Sequence, residues 1–283
     1  MTWSCLPVCL FSDILSGRMT VGDWAAAAAE MGLDAIDISI LFVKARTLVA
    51  IGALRNDIER TGLKLAMMTT YPDFTQPEEA KRERELATAI SDIAVAAELG
   101  AEYVRVTAGQ TQPYANDGKC IRRVVECLEA CCERASRWGV KLLLENHSKP
   151  SAWERPDFDF HTGRFLKLVD ATRHLPLGIN FDTANTYALG DDAPAVFEAV
   201  YDRVWSIHVN DVRDRSRLEF VGIGDGGAPI GPIFQIAQRK GFDGLLSIEE
   251  SGTDKLCGIA RSFERSKALW DAAGNETRRE ESK

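Results

Sequence analysis

The stretch Gly178-Ile179-Asn180-Phe181-Asp182-Thr183-Ala184-Asn185 alternates apolar Ile179 and Phe181 with polar Asn180 and Asp182, then gives way to turn-forming residues. Strict alternation reads as a β-strand with one apolar and one polar face. A carboxylate at the strand's last position is either a cap or turn former, or a group placed there for chemistry. The same shape recurs nearby. LLLENH reaches Glu145, WSIHVND reaches His208 and LLSIEES reaches Glu249, with separations of 37, 26 and 41 residues. Each gap is about one strand-plus-helix unit.

Outward from this stretch the whole chain keeps that rhythm. An apolar run at 6–11 reads as the first strand, and VGDWAAAAAEM at 21–31 as an alanine-rich helix stopped by Gly32. AIDIS at 35–39 leads into ALRNDIERTG, KLAMMTT into the long amphipathic EEAKRERELATAISDIAVAAELG, and EYVRVTAG into KCIRRVVECLEACCER. KLLLENH precedes GRFLKLVDAT, LGINFDTAN precedes APAVFEAVY, VWSIHVND precedes GPIFQIAQRKG, and GLLSIEE precedes a closing helix through FERSKALW. Eight such units imply right-handed crossovers, a parallel sheet and closure into a (β/α)8 barrel, an α/β fold. The rival, an open doubly wound sheet, would place GxGxxG after the first strand, and the sequence has none there. Nothing reads as an interdomain linker, so residues 1–283 are one barrel domain, with a polar tail at 274–283 expected to fray.

Composition narrows the function classes. The chain has 283 residues, 45% of them hydrophobic, and a formal net charge of -8. A net acidic chain is a poor partner for a phosphate backbone, which excludes nucleic acid as the expected ligand. The N-terminal apolar run lacks preceding basic residues and contains Asp13, which fits a core strand better than a secretory signal. No segment reaches the roughly 18 apolar residues of a membrane helix. The expectation is a cytoplasmic protein with no membrane partner. Cys120, Cys127 and Cys131 recur at helical spacing, as core residues of one helix face would; no CxxC pair completes a zinc pattern.

In a parallel barrel the loops that carry chemistry gather where strands end. Glu145, Asp182, His208 and Glu249 would therefore stand side by side on one rim. Residues two apart on a strand share a face. Stepping back two from Asp182, His208 and Glu249 gives Asn180, Ser206 and Ser247, a polar inner seam; from Glu145 the step gives Leu143. Three carboxylates and an imidazole form a hard, oxygen-rich donor set. It suits a divalent ion, Mn²⁺ first, with Mg²⁺, Co²⁺ or Zn²⁺ as alternatives. Without a cation, the converging acids are expected to repel one another and raise their pKa values.

These segments resemble the sugar isomerase/epimerase superfamily with the xylose isomerase-like barrel. Its members include ketose 3-epimerases, hydroxypyruvate isomerases, inosose dehydratases and, more distantly, endonuclease IV. LLLENH, GINFDTAN, WSIHVND, VGIGDGGAPIGPIFQIAQRKGFDG and LLSIEES carry the resemblance, with looser agreement in MGLDAIDI and ELGAEYVRV. It implies a metal held by Glu145, Asp182, His208 and Glu249. In the epimerases Glu145 and Glu249 would also be the catalytic pair, one removing a proton beside the carbonyl of a ketose and the other returning one to a cis-enediolate. The implied partner is a small carbohydrate, and the implied assembly a homodimer or homotetramer.

Two positions depart from that pattern. Asn185 stands where many relatives carry a histidine, which argues against a three-zinc endonuclease site. Ser151 stands where the ketose epimerases place a further glutamate, and Glu154 matches it only across a short insertion. Substrate-binding candidates are His147, two residues beyond Glu145, Asn185, Arg213 and Trp153, each with an equally simple loop or surface role. Glu250, offset by one from Glu249, should face a helix. Two enzyme classes fit these residues, a keto-sugar isomerase or epimerase and a dehydratase of the inosose or 3-dehydroshikimate kind. A non-enzymatic sugar sensor is a third reading.

Overall fold

The computed structural model describes residues 1–113, 116–148 and 154–281, with side chains through residue 276. Trp153 and Ser151 lie outside the described residues. Eight strands form one parallel sheet: β1 (Thr2–Leu6), β2 (Ala35–Ser39), β3 (Lys64–Thr69), β4 (Tyr103–Val106), β5 (Lys141–Glu145), β6 (Leu177–Asp182), β7 (Val204–Val209) and β8 (Leu245–Glu249). Their spatial order is β1-β8-β7-β6-β5-β4-β3-β2. Each is followed by a helix: α1 (Val21–Glu30), α2 (Leu48–Glu59), α3 (Glu79–Glu98), α4 (Asp117–Arg137), α5 (Thr162–Ala171), α6 (Ala193–Val200), α7 (Ile230–Arg239) and α8 (Lys255–Glu281). The chain forms the expected (β/α)8 barrel.

Local chemistry sets the boundaries. Thr20 and Asp23 close a capping box at the start of α1, with Asp23 N–H donating to Thr20 Oγ1 at 3.0 Å and Thr20 N–H to Asp23 Oδ2 at 2.8 Å. The helix buries Trp24, Ala25 and Ala28 and ends before Gly32, whose φ of 82° suits a residue without a Cβ. Cys120, Cys127 and Cys131 lie on the buried face of α4. Among the described residues no helix is long and apolar enough to cross a membrane.

One boundary differs from expectation. The first strand is Thr2–Leu6, not 6–11; Pro7 follows it, and the apolar run beyond forms a 3₁₀ turn and the short helix Phe11–Ser16. Proline lacks the N–H a ladder needs, so the strand ends before it. The closing helix α8 runs on through Glu281.

The seam between β1 and β2 is closed in part by side chains. Asp34 N–H donates to Trp3 O at 3.0 Å and Trp3 N–H to Asp34 Oδ2 at 2.8 Å; Ser4 Oγ donates to Asp37 Oδ2 at 2.8 Å. Inside the barrel, side chains stack in layers two residues apart along each strand. Ala35, Met67, Tyr103, Leu143 and Leu245 plug the N-terminal end together with Trp205. Above the plug lie Ser4, Asp37, Asn180, Ser206 and Ser247, all fully buried. The candidate ligands come next.

Gly178 sits against the plug, where an added Cβ would collide with the Trp205 indole and the Leu143 side chain. Gly178→Ala should therefore lower stability by about 1–3 kcal/mol, as overpacking of a filled core does. Urea unfolding checks this, and an unchanged midpoint would mean that the indole yields freely.

Candidate metal centre

Glu145, Asp182 and Glu249 are the last residues of β5, β6 and β8, and His208 is the penultimate residue of β7. All four are buried, and each offers one donor atom such that these atoms all lie within 4.8 Å of one another. Two donors on opposite sides of a divalent ion, each bonded at about 2.1–2.4 Å, are about 4.2–4.8 Å apart. The set therefore fits a cation in both chemistry and spacing. His208 Nδ1 is the nitrogen that meets the carboxylates, 2.7 Å from Glu145 Oε1 and 3.8 Å from Glu249 Oε2.

Asp182 caps a short helix and also belongs to the four-donor cluster. Its Oδ1 accepts from the N–H groups of Ala184 and Asn185, each at 2.8 Å, which open the short helix Asn185–Ala188. Those bonds fix the carboxylate's orientation while Oδ2 accepts from Asn210 Nδ2 at 3.1 Å. The same amide donates to Glu249 Oε2 at 2.8 Å, so Asn210 holds two of the four candidate ligands. Asn146 secures the β5–β6 junction, accepting from Asp182 N–H at 2.7 Å and donating to Asp182 O at 3.1 Å.

Mutual repulsion does not raise the pKa of Glu145, contrary to expectation. Burial pushes it up, but the His208 imidazole and the Arg105 guanidinium outweigh burial and bring it down to about 2. Arg105 Nε lies 3.0 Å from Glu145 Oε2, and both side chains are 1% exposed. For His208 burial lowers the pKa, and the charge of Glu145 outweighs it and raises it. The two shifts describe one contact and count once.

The sign for stability follows. A depressed carboxyl pKa adds stability above about pH 4.3, the unfolded glutamate value, which is lost as pH falls toward about 2. A raised imidazole pKa adds stability below about pH 6.5, lost as pH rises through the folded value. The metal-free protein should therefore draw most from this contact between those two pH values. Thermal melts across pH 3–9 check it; a cation competes with the imidazole proton, so metal should protect most on the alkaline side.

The remaining expectations divide. His147 is buried, with Nδ1 2.9 Å from Asp157 Oδ1, a carboxylate that is itself buried. Asn185 is buried and its Oδ1 accepts the Ser148 hydroxyl. Glu250 faces α8, as expected, accepting from Ser262 Oγ. Arg213 is not brought to the cluster. Its side chain is 53% exposed on the hairpin Asp211–Val212 and Phe220–Val221, where it pairs with Glu219.

Sequence reasoning missed Arg105, Asn210, Asn146 and Asp157. Asn210 could have been found, since it lies two residues beyond His208 and so shares its face. Arg105 carried a weaker signal, a lone charge in the otherwise apolar EYVRV. At the opposite end of the barrel a cavity of about 540 Å³ is lined in part by Tyr103, Trp205 and Phe242. The apolar plug separates it from the four ligands.

Known proteins resemble this architecture. Inosose dehydratase of Lacticaseibacillus casei is 24% identical over 143 residues, covering 45% of this chain and 46% of that protein. Inosose dehydratase of Clostridium perfringens is 26% identical over 163 residues, covering 50% and 52%. The chain spans about half the length of the curated relatives it matches. Among solved structures, a D-tagatose 3-epimerase-like protein superposes with a TM-score of 0.79 at 18% identity, over 98% of this chain and 99% of that one. The probable 3-DHS dehydratase of petrobactin synthesis from Bacillus anthracis does so at 0.72 and 16%, over 93% and 98%. At these identities the structural likeness is one of fold. A family model described as a xylose isomerase-like TIM barrel matches residues 25–270, nearly the whole barrel, and the chain belongs to that family.

Proposed function

We propose that the protein is a divalent-metal-dependent isomerase or epimerase that moves protons at the carbon beside the carbonyl of a keto sugar or keto-sugar derivative. One observation carries the reading: four buried donors converge at the C-terminal rim of the barrel, and two of them are glutamates on strands with two others between. That separation lets Glu145 and Glu249 approach a bound substrate from different sides. A divalent cation held by Glu145, Asp182, His208 and Glu249, Mn²⁺ before Mg²⁺, Co²⁺ or Zn²⁺, supplies Lewis acidity toward the carbonyl oxygen when bound.

The chain's own groups do the rest. Glu145 and Glu249 exchange protons with the carbon, and neither step needs a covalent intermediate. Arg105 keeps Glu145 ionised and ready to accept a proton. Asn210 holds Asp182 and Glu249 in a fixed relation, and Asp182 and His208 serve chiefly to hold the ion.

A second reading, dehydration, is favoured by one arrangement. His147 is backed by the buried Asp157 and stands two residues from Glu145, so its imidazole can donate a proton to a departing β-hydroxyl. The curated relatives named inosose dehydratase point the same way. Incubating manganese-loaded protein with ketopentoses, ketohexoses and keto-cyclitols in heavy water separates the two. Isomerisation or epimerisation installs deuterium and retains every carbon and oxygen, whereas dehydration removes the mass of one water. No exchange with any of these, together with no stoichiometric metal uptake, would overturn both.

A further inference from the structure

Among the described residues, Asp37 is the fully buried carboxylate inside the barrel that the proposed chemistry leaves idle. It sits at the middle of β2, one layer below the candidate ligands. Its Oδ2 accepts from Ser4 Oγ on β1 and from Ser247 Oγ on β8, and its Oδ1 accepts from Met67 N–H on β3 at 3.0 Å. The last bond exists because the β2–β3 register shifts between Ile36 and Asp37, freeing that N–H from the ladder. These donors all come from the β8–β1–β2–β3 side.

The β6–β7 side of the same layer is the reverse. Asn180 Nδ2 and Oδ1, Ser206 Oγ and His208 Nε2 are buried, and none has a hydrogen-bond partner among the described residues. Asn180 and Ser206 are register partners, and His208 is the register partner of Ser247. One buried polar atom left unpaired costs about 1–3 kcal/mol, and four of them together would consume a large part of a domain's stability. Polar groups enclosed in this way are the environment in which ordered water makes its two to four bonds.

The geometry points to a positioning role for Asp37: through ordered water shared with Ser206, Asn180 and Ser247, it holds His208 with Nε2–H as donor and Nδ1 as the metal-binding atom. A metal-binding histidine commonly donates its other ring N–H to a carboxylate or to water, which fixes both tautomer and ring plane. Here Nδ1 is the nitrogen nearer both Glu145 and Glu249, so Nε2 is the one left to be held. Electrostatics agree with the proximity: burial raises the Asp37 pKa, and the charge of His208 is among the influences opposing it. The inference rests on the metal reading above and adds to it a carboxylate from the opposite wall of the barrel.

A crystal structure of the manganese-loaded protein at atomic resolution is the direct test. Water density on His208 Nε2, continuing toward Asp37, is expected. A dry layer, or a cation on Nε2 instead of Nδ1, overturns the proposal and leaves the proposed function standing. Wild-type protein that takes up no metal overturns both, and shows it before any variant is made. Asp37→Asn should bind Mn²⁺ about 10–100-fold more weakly by calorimetric titration, and should change the visible spectrum of the Co²⁺-loaded protein. A loss of packing alone would not alter the ion's spectrum. Asp37 ties four strands together, so if the Asp37→Asn variant fails to fold, Ser206→Ala carries the same two measurements, with a smaller loss expected. Wild-type affinity and spectrum in a folded variant would sink the inference.

Discussion

Manganese-loaded Glu249→Gln is expected to lose turnover by about 10³-fold or more while the barrel stays folded, since the substitution removes a proton-transfer group and a charged ligand at one atom. The amide is nearly the same size as the acid, and its oxygen can still accept from Asn210, whose side chain bonds Glu249 Oε2 at 2.8 Å. The fold should therefore survive, with a thermal midpoint near that of the wild type. The rate of deuterium uptake from heavy water isolates the chemistry. If Glu249 moves a proton, exchange should fall in parallel with turnover. Near-normal exchange with weakened metal binding would assign Glu249 to holding the ion and leave Glu145 as the sole proton carrier. Near-normal turnover would remove the acid–base role altogether.

The strands that carry the ligands were legible because each combines two local signals. LGINFDTAN, WSIHVND and GLLSIEE show period-two alternation and a polar residue where the strand stops, and both signals lie within a few neighbouring residues. The first strand was misplaced for a local reason too: the apolar run continues past Pro7, and only the missing N–H marks the end. Arg105 was less visible because its meaning is not local. In EYVRV it could be a solvated edge charge, and only the pairing of β4 with β5 sets it beside Glu145. The surroundings of Arg213 were not local either. It was singled out by resemblance, and the antiparallel hairpin that pairs it with Glu219 is absent from the eight-unit pattern. Alternation finds donors on a strand, whereas charge balance within the barrel needs the sheet order.

Arg105→Leu is expected to cost the metal-free protein about 3–5 kcal/mol, the range for removing one partner of a buried ion pair, or about 5–8 °C in melting temperature at this size. The guanidinium is 1% exposed, lies 3.0 Å from Glu145 Oε2, donates to Thr70 O at 3.1 Å and stacks 4.8 Å from the Tyr71 ring centre. Leucine fills much of the stem's volume, so the loss would come from the charge and its hydrogen bonds more than from packing. Glu145 would then be left with His208 as its remaining close cation, and its pKa should climb from the depressed value of about 2. Metal decides between this account and a purely structural one. A divalent ion at the four ligands supplies the missing positive charge, so saturating manganese should stabilise Arg105→Leu more than it stabilises the wild type. Arg105→Lys, which keeps the charge and gives up the planar fork, should fall between the two. Equal stabilisation by manganese in all three proteins would show that Arg105 supports the barrel without governing the charge of Glu145.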